Sequence, residues 1–268
     1  MTSLGSSWRA SAERRSGSRA ARLQLLDAFG VGVVLLGCGI AVALTLKGFA
    51  FEVIANSFVY LMRGLRTTWE LAILTFGLGL MAGIVIAVAR ESDIAALRWT
   101  AKTYVELLRN VPQLMLIFWV YFLLPVLTGH SINEYLAAVV ALTACISAYL
   151  AEVVRAGINS VPRAQMEAAY STGCTYLQGM RLIVIPQALR NMIPSLVNQF
   201  VSAFKTTSLV YIIGVIEFFR AATIVNERDF KSMEVFTFVG VVYFVNCFCM
   251  SVLARWYERR LQRKREGR

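Results

Sequence analysis

Apolar residues along this chain gather into long runs separated by short polar stretches. The runs cover 28–46, 67–89, 111–128, 135–154, 191–216 and 235–254. A hydrocarbon core about 30 Å thick takes roughly 20 helical residues to cross, so each run predicts a membrane helix, the third one short or tilted. The longest polar interval lies between the fourth and fifth runs. There, residues up to Tyr170 predict a short helix, Gly173 a turn or a close approach, and 176–185 a second short helix stopped by Pro186. Two short helices too polar to span predict a docking element for a partner at the membrane face; an interfacial helix resting on lipid headgroups is the alternative.

Composition supports the membrane reading. Of 268 residues, 57% are apolar and 16% charged, and the mean hydropathy is +0.61. A soluble domain of this size would need more polar surface. The expected fold is all-α, a polytopic bundle of six membrane helices in one domain.

The net charge of +11 raises nucleic acid as a partner, and the position of the charges argues against it. Twelve of the 27 Lys and Arg residues flank the outermost runs, and eight more lie in or beside the intervals after the second and fourth. The other three intervals hold six, and Lys205 alone lies inside a run. This is the positive-inside bias, and it predicts both termini in the cytoplasm. Residues 1–27 read as a basic tail, disordered over its Ser-, Arg- and Ala-rich first part. Ala41-Val42-Ala43 leaves a cleaved leader as an alternative, but the long basic region and the continuation of the run favour an uncleaved first helix.

A search for chemistry finds no catalytic centre in the pattern. The single histidine, His130, falls in a short outer interval, and no Walker A pattern is present. The five cysteines have no metal-ligand or disulfide spacing. Gly77, Gly79 and Gly83 loosely resemble a dinucleotide loop but lie in an apolar helix. Gly79 and Gly83 form GxxxG, which lets two membrane helices approach closely. Glu106 with Arg109, and Glu152 with Arg155, have the spacing of local ion pairs.

Polar residues inside the fifth run carry more information. Asn191, Ser195, Asn198, Ser202 and Lys205 follow steps of four, three, four and three, which keep all five on one helical face. Such groups facing lipid cost several kcal/mol, so the stripe should face protein or a water-filled cavity. Interhelical hydrogen bonding is the structural alternative. A stripe ending in a cation, followed by Thr206, Thr207 and Ser208, favours a solute pathway.

The runs AYLAEVVRAGINSVPRAQMEAAYSTG (148–173) and IPQALRNMIPSLVNQFVSAFKTTSL (185–209), with YVELLRNVPQLMLIFWVYFLLP (104–125), resemble the permease subunits of polar-amino-acid ABC importers. The similarity covers roughly 57–258, leaving 28–56 as an extra N-terminal membrane helix with its outer loop and 259–268 as a basic cytoplasmic tail. The resemblance implies a five-helix permease core in the bacterial inner membrane and a transport subunit that is not an enzyme and binds no cofactor. It implies a second permease, identical or related, a cytoplasmic ATPase dimer carrying ATP and Mg, and an external amino-acid-binding protein. Glu167, Ala168, Ala169 and Gly173 would belong to the coupling helix that docks on the ATPase. Asn191, Ser195, Asn198, Ser202, Lys205, Thr206 and Ser208 would line the substrate pathway. Two positions depart from the family pattern: Ala164 replaces a glycine before Gln165, and Cys174 replaces a large apolar residue. The stretches 208–229 and 238–246 look most like glutamate/aspartate permeases, with a basic or amide amino acid as the alternative. A gradient-driven secondary transporter is the rival from another class, and the paired inverted repeats it favours are not seen.

Overall fold

The computed structural model describes residues 50–266, with side chains as far as Trp256. The extra helix expected at 28–46 and the tail before it lie outside the described residues. Among the described residues every regular element is helical.

The first helix, α1 (Phe51–Arg90), is a single element of 40 residues. It begins well before position 67, so the stretch 51–66, expected as outer loop, is helical. Nothing in that stretch breaks a helix, and Arg66 Nε donates to Glu70 Oε1 one turn on at 2.7 Å. The buried positions of α1 recur every three or four residues from Ile54 through Leu61, Gly64, Thr68, Thr75, Gly79 and Gly83 to Ala87. Most are small, and that lets neighbours come close. A Cβ on Gly79 would meet Ile146 Cγ2 at 2.8 Å, and one on Gly83 would meet the Ala151 nitrogen at 3.0 Å. The GxxxG pair therefore has the packing role its spacing predicts. Both glycines face α5 (Glu134–Asn159), whose hydrophobic window is 67% buried and which forms the centre of the bundle.

Between them run α2 (Ala95–Asn110), α3 (Gln113–Phe118), a π turn (Trp119–Leu123) and α4 (Leu124–Thr128). The chain bends by 108° between α2 and the 113–128 segment, at Pro112, which has no N–H to continue the ladder. The sequence pattern does not predict α2, because its basic residues read as loop.

After α5 come α6 (Arg163–Ser171) and α7 (Tyr176–Gly179). A second π turn (Met180–Val184) leads into α8 (Ile185–Thr206), which a 3₁₀ segment (Thr207–Ile213) extends. Pro186 was expected to stop the second short helix, and it does not. It sits in the first turn of α8, where its lack of a donor is tolerated, and the turn before it widens. Ile185 N–H donates to Met180 O, five residues back. Pro125 and its preceding π turn repeat the arrangement, with Leu124 N–H donating to Trp119 O. In each case the ring would clash with the carbonyl four residues earlier, and one wider turn relieves it.

A short helix, α9 (Phe218–Asp229), occupies part of the expected outer interval before α10 (Ser232–Glu266). Its cap is Glu217, fully buried, which accepts from the Phe219 and Arg220 N–H groups at 2.8 Å each. Thr68 Oγ1 lies 3.3 Å and the Tyr243 hydroxyl 3.4 Å from the same carboxylate. One side chain thus ties α9 to α1 and α10, and its oxygens are satisfied as a buried acid requires.

Three described helices are long and apolar enough to cross a membrane: α1, α5 and 232–256 of α10. The number becomes five if each of the two bent pairs counts as one span. Large apolar side chains such as Val85, Phe244 and Leu253 point outward, as lipid contact favours.

Two glycines of α1 make a controlled test of its packing. A valine at Gly83 would press on backbone, whereas a Cβ at Gly77 meets nothing within 4 Å. Overpacking of this kind costs about 1–3 kcal/mol. Thermal unfolding in detergent should show Gly83→Val destabilised and Gly77→Val near wild type; equal stabilities would refute the close α1–α5 contact.

Candidate functional site

The polar hairpin between α5 and α8 is built by local backbone chemistry. Gly173 has φ +80, a left-handed conformation that glycine adopts without Cβ strain. Its N–H donates to Tyr170 O at 2.9 Å, and Cys174 N–H donates to Ala169 O at 3.1 Å. These two bonds form a Schellman motif closing α6. The next helix opens with a capping box: Gln178 N–H donates to Thr175 Oγ1, and Thr175 N–H donates to Gln178 Oε1 at 2.8 Å. Two helices are therefore fixed on either side of a short link. Ala164 lies inside the first turn of α6, so no glycine conformation is needed at that position.

Of the four residues expected to dock, Glu167, Ala168 and Gly173 are exposed and Ala169 is 1% exposed. Ala169 faces inward towards Gly179, which also meets Met166: a Cβ on Gly179 would lie 2.5 Å from Met166 Sδ. Ala169 and Gly179 therefore set the spacing of α6 on α7. Sequence reading missed Gly179, and also the apolar knobs Tyr170, Tyr176 and Leu177, the last 76% exposed. Their signal was present as large apolar residues in an otherwise polar interval.

The stripe on α8 lies on one face, as its spacing predicts. Ser195, Asn198 and Lys205 are exposed, and Asn191, Ser202, Thr206 and Ser208 half-buried. Ala188, Met192, Val201, Ala203 and Phe204 are buried around the rest of the helix. Thr206 and Ser208 donate their hydroxyls to the Ser202 and Lys205 carbonyls, which leaves their lone pairs for other donors. From Asn191 to Lys205 the stripe extends about 21 Å at 1.5 Å per residue, some two-thirds of a hydrocarbon core.

The first part of the stripe enters a cavity. Asn191, Ser195 and Gln199 line a space of about 300 Å³ together with Arg109, Tyr149, Glu152 and Ser160. Asn191 Nδ2 donates to Ser160 Oγ at 2.8 Å. Asn198, Ser202 and Lys205 continue along the helix outside it. On the far wall, Glu152 accepts from Arg155 and from Arg90, each at 2.5 Å, and Arg109 stands 3.7 Å away. The expected Glu152–Arg155 pair is present. The expected Glu106–Arg109 pair is not found among the described residues; Arg109 instead approaches Glu152 and lies over the Tyr149 ring.

Residues 79–263 match the family of binding-protein-dependent transport system inner membrane components. A glutamate/aspartate import permease of Escherichia coli is 36% identical over 219 residues, covering 79% of this chain and 98% of its own length. A probable glutamine ABC transporter permease of Bacillus subtilis is 34% identical over 212 residues, with the same coverages of 79% and 98%. Among solved structures, that of an amino acid ABC transporter with histidines superposes with a TM-score of 0.75 at 33% identity, covering 79% of this chain and 98% of its own.

The left-handed Gly173 yields a prediction in which strain, not crowding, is the cause, since a Cβ there meets nothing within 4 Å. Gly173→Val should cost about 1–2 kcal/mol through backbone conformation alone, and Gly173→Asn less, because asparagine tolerates the region. Thermal unfolding of the purified variants measures this; a valine as well tolerated as asparagine would contradict it.

Proposed function

The chain belongs to the family of binding-protein-dependent transport system inner membrane components, and on that premise we propose that it is the permease subunit of an ATP-driven importer of polar amino acids. The observation that carries this reading is the join between the polar hairpin and the polar stripe. From Tyr176 to Ile213 the chain is helical without a gap, so a displacement of the hairpin is transmitted along α8 to the stripe. A partner ATPase would grip Glu167, Ala168 and the knobs Tyr170, Tyr176 and Leu177. Closing of its dimer would rock α8 and expose the stripe to alternate sides of the membrane. Partners on this reading are an ATPase dimer with its ATP and Mg, a second permease, identical or related, and an external amino-acid-binding protein. Both termini face the cytoplasm of a bacterium, as the positive-inside bias supports.

For the substrate we favour an acidic amino acid, glutamate or aspartate. The Escherichia coli relative imports that pair, whereas the Bacillus subtilis relative is a probable glutamine permease at nearly the same identity. Overall identity therefore does not choose between them. Lys205 supports the choice physically, as an exposed cation on the stripe able to attract a carboxylate in a partly dehydrated pathway.

Two measurements test this. Uptake by the reconstituted complex should require ATP and be suppressed by excess glutamate or aspartate. Suppression by arginine or histidine alone would overturn the acidic assignment, and uptake without ATP would overturn the importer. Separately, Leu177→Asp should sharply reduce co-purification of the ATPase while the permease remains inserted; undiminished co-purification would remove the hairpin from the docking surface.

A further inference from the structure

The cavity beside the arginine cluster has more cationic character than the fold requires. Glu152 Oε1 is taken by Arg155 and Oε2 by Arg90, both at 2.5 Å. The Arg90 bond anchors α5 to the end of α1, the Arg155 bond lies within α5, and together they complete the pairing of the carboxylate. Arg109, on α2, is a third guanidinium at 3.7 Å, beyond a good hydrogen bond, and its side chain is 42% exposed. It lines the cavity with its rigid fork of donors largely uncommitted. Arg155 Nε is buried without a partner, so donors exceed acceptors in the cluster. Glu91 acts electrostatically on Arg155 but does not line the cavity.

The opposite wall carries Asn191 and Ser195 from the start of the stripe, with Gln199 beside them. The cavity thus presents a guanidinium on one side and neutral hydrogen-bonding groups on the other. An α-amino acid carries its carboxylate and ammonium on one carbon; the guanidinium suits the first, and the hydroxyl and amide oxygens suit the second. A volume of about 300 Å³ is at the small end of ligand sites, suited to a single amino acid. Glu152 lies 18 residues into the 26-residue α5, roughly 27 Å along it, which is the inner end on the orientation proposed above.

We propose that this cavity is an inner station for the zwitterionic head of the transported amino acid, with Arg109 holding the α-carboxylate and the side-chain oxygens of Ser195 and Gln199 accepting from the α-ammonium. The station rests on the importer reading and adds a second site to the pathway, separate from Lys205. Arg90 and Arg155 hold Glu152 in place, and Arg109 is the arginine that meets the solute.

The test uses the complete complex of permease and ATPase in detergent, free of nucleotide and of binding protein. Equilibrium binding is measured with radiolabelled L-glutamate and L-arginine, beside ATP-driven uptake of each. The imported amino acid should bind saturably. Glutarate, which lacks the ammonium, should compete at least about tenfold more weakly, in line with the loss of a charge-assisted bond. Arg109→Gln should weaken binding by about tenfold and slow uptake, while ATPase stimulation by loaded binding protein persists. Arg109→Lys should retain part of the binding, and Lys102→Gln, on the same helix outside the cavity, all of it. Arg109→Gln binding like wild type, or glutarate competing as well as glutamate, overturns the station and leaves the importer standing. A complex that imports an amino acid without binding it in this state also overturns the station. A wild-type complex that imports no amino acid overturns the importer reading, and the station with it.

Discussion

One missing backbone donor shapes the part of this protein that matters most. Pro186 lies between the polar hairpin and the polar stripe, and an ordinary helix would end or kink there. A break inside a membrane leaves polar backbone groups with no water to satisfy them. The chain instead widens a single turn, so that Ile185 N–H reaches Met180 O, and the helix continues through Thr206 with one further donor missing at Pro194. The hairpin and the stripe thereby become one mechanical element. A chain that broke at Pro186 would place a flexible joint where the proposed mechanism needs a stiff one.

Stiffness elsewhere comes from close contact of small residues. Gly64, Gly79 and Gly83 let α1 lie against α9 and α5 at distances that a side chain would forbid. The acids complete this frame at its two ends. Glu217 joins α1, α9 and α10 through four donors, and Glu152 on α5 joins α1 through Arg90, with Arg155 of its own helix holding the other oxygen. Each acid is matched by donors, as burial in a low-dielectric interior demands. Against that frame α8 packs on α1, α5 and α10, with Trp69 and Phe76 of α1 and Tyr243 of α10 against its Phe200 and Phe204, and its polar stripe is the part that the proposed pathway would use.

What the sequence disclosed depended on whether the cause was local. The stripe was legible because five polar residues recur at helical spacing within fifteen positions, and Gly79 and Gly83 because they are one turn apart. Long apolar runs marked α1, α5 and α10, though they hid the start of α1, where polar and apolar residues mix. The helices α2 and α9 were missed because their charges read as loop, while the faces they bury are short. The arginine cluster was illegible in principle: Arg90 and Glu152 are 62 residues apart, and no spacing rule connects them. The pairing of Glu106 with Arg109 failed for the converse reason. Helical spacing permits that pair, but the fold offers Arg109 a better-placed carboxylate and an aromatic face.

The distribution of charge along α8 bears on how a pathway can bind a solute and still release it. Two cations mark the ends of the stripe, Lys205 as its last member and Arg109 beside its first, with amides and hydroxyls between them. Conduction needs sites favourable enough to enter and weak enough to leave. One deep, unpaired cation would hold a carboxylate strongly, since attraction grows as water is excluded. Spreading the cationic character over two ends with neutral groups between avoids that trap. The two ends also differ: Lys205 is exposed and has no ion-pair partner among the described residues, while Arg109 belongs to a cluster in which three arginines face the single carboxylate of Glu152. A carboxylate passing inward on the proposed route would move from a lone cation to a net positive cluster, so its release there would have to come from the change of state that the ATPase drives and not from a weaker site.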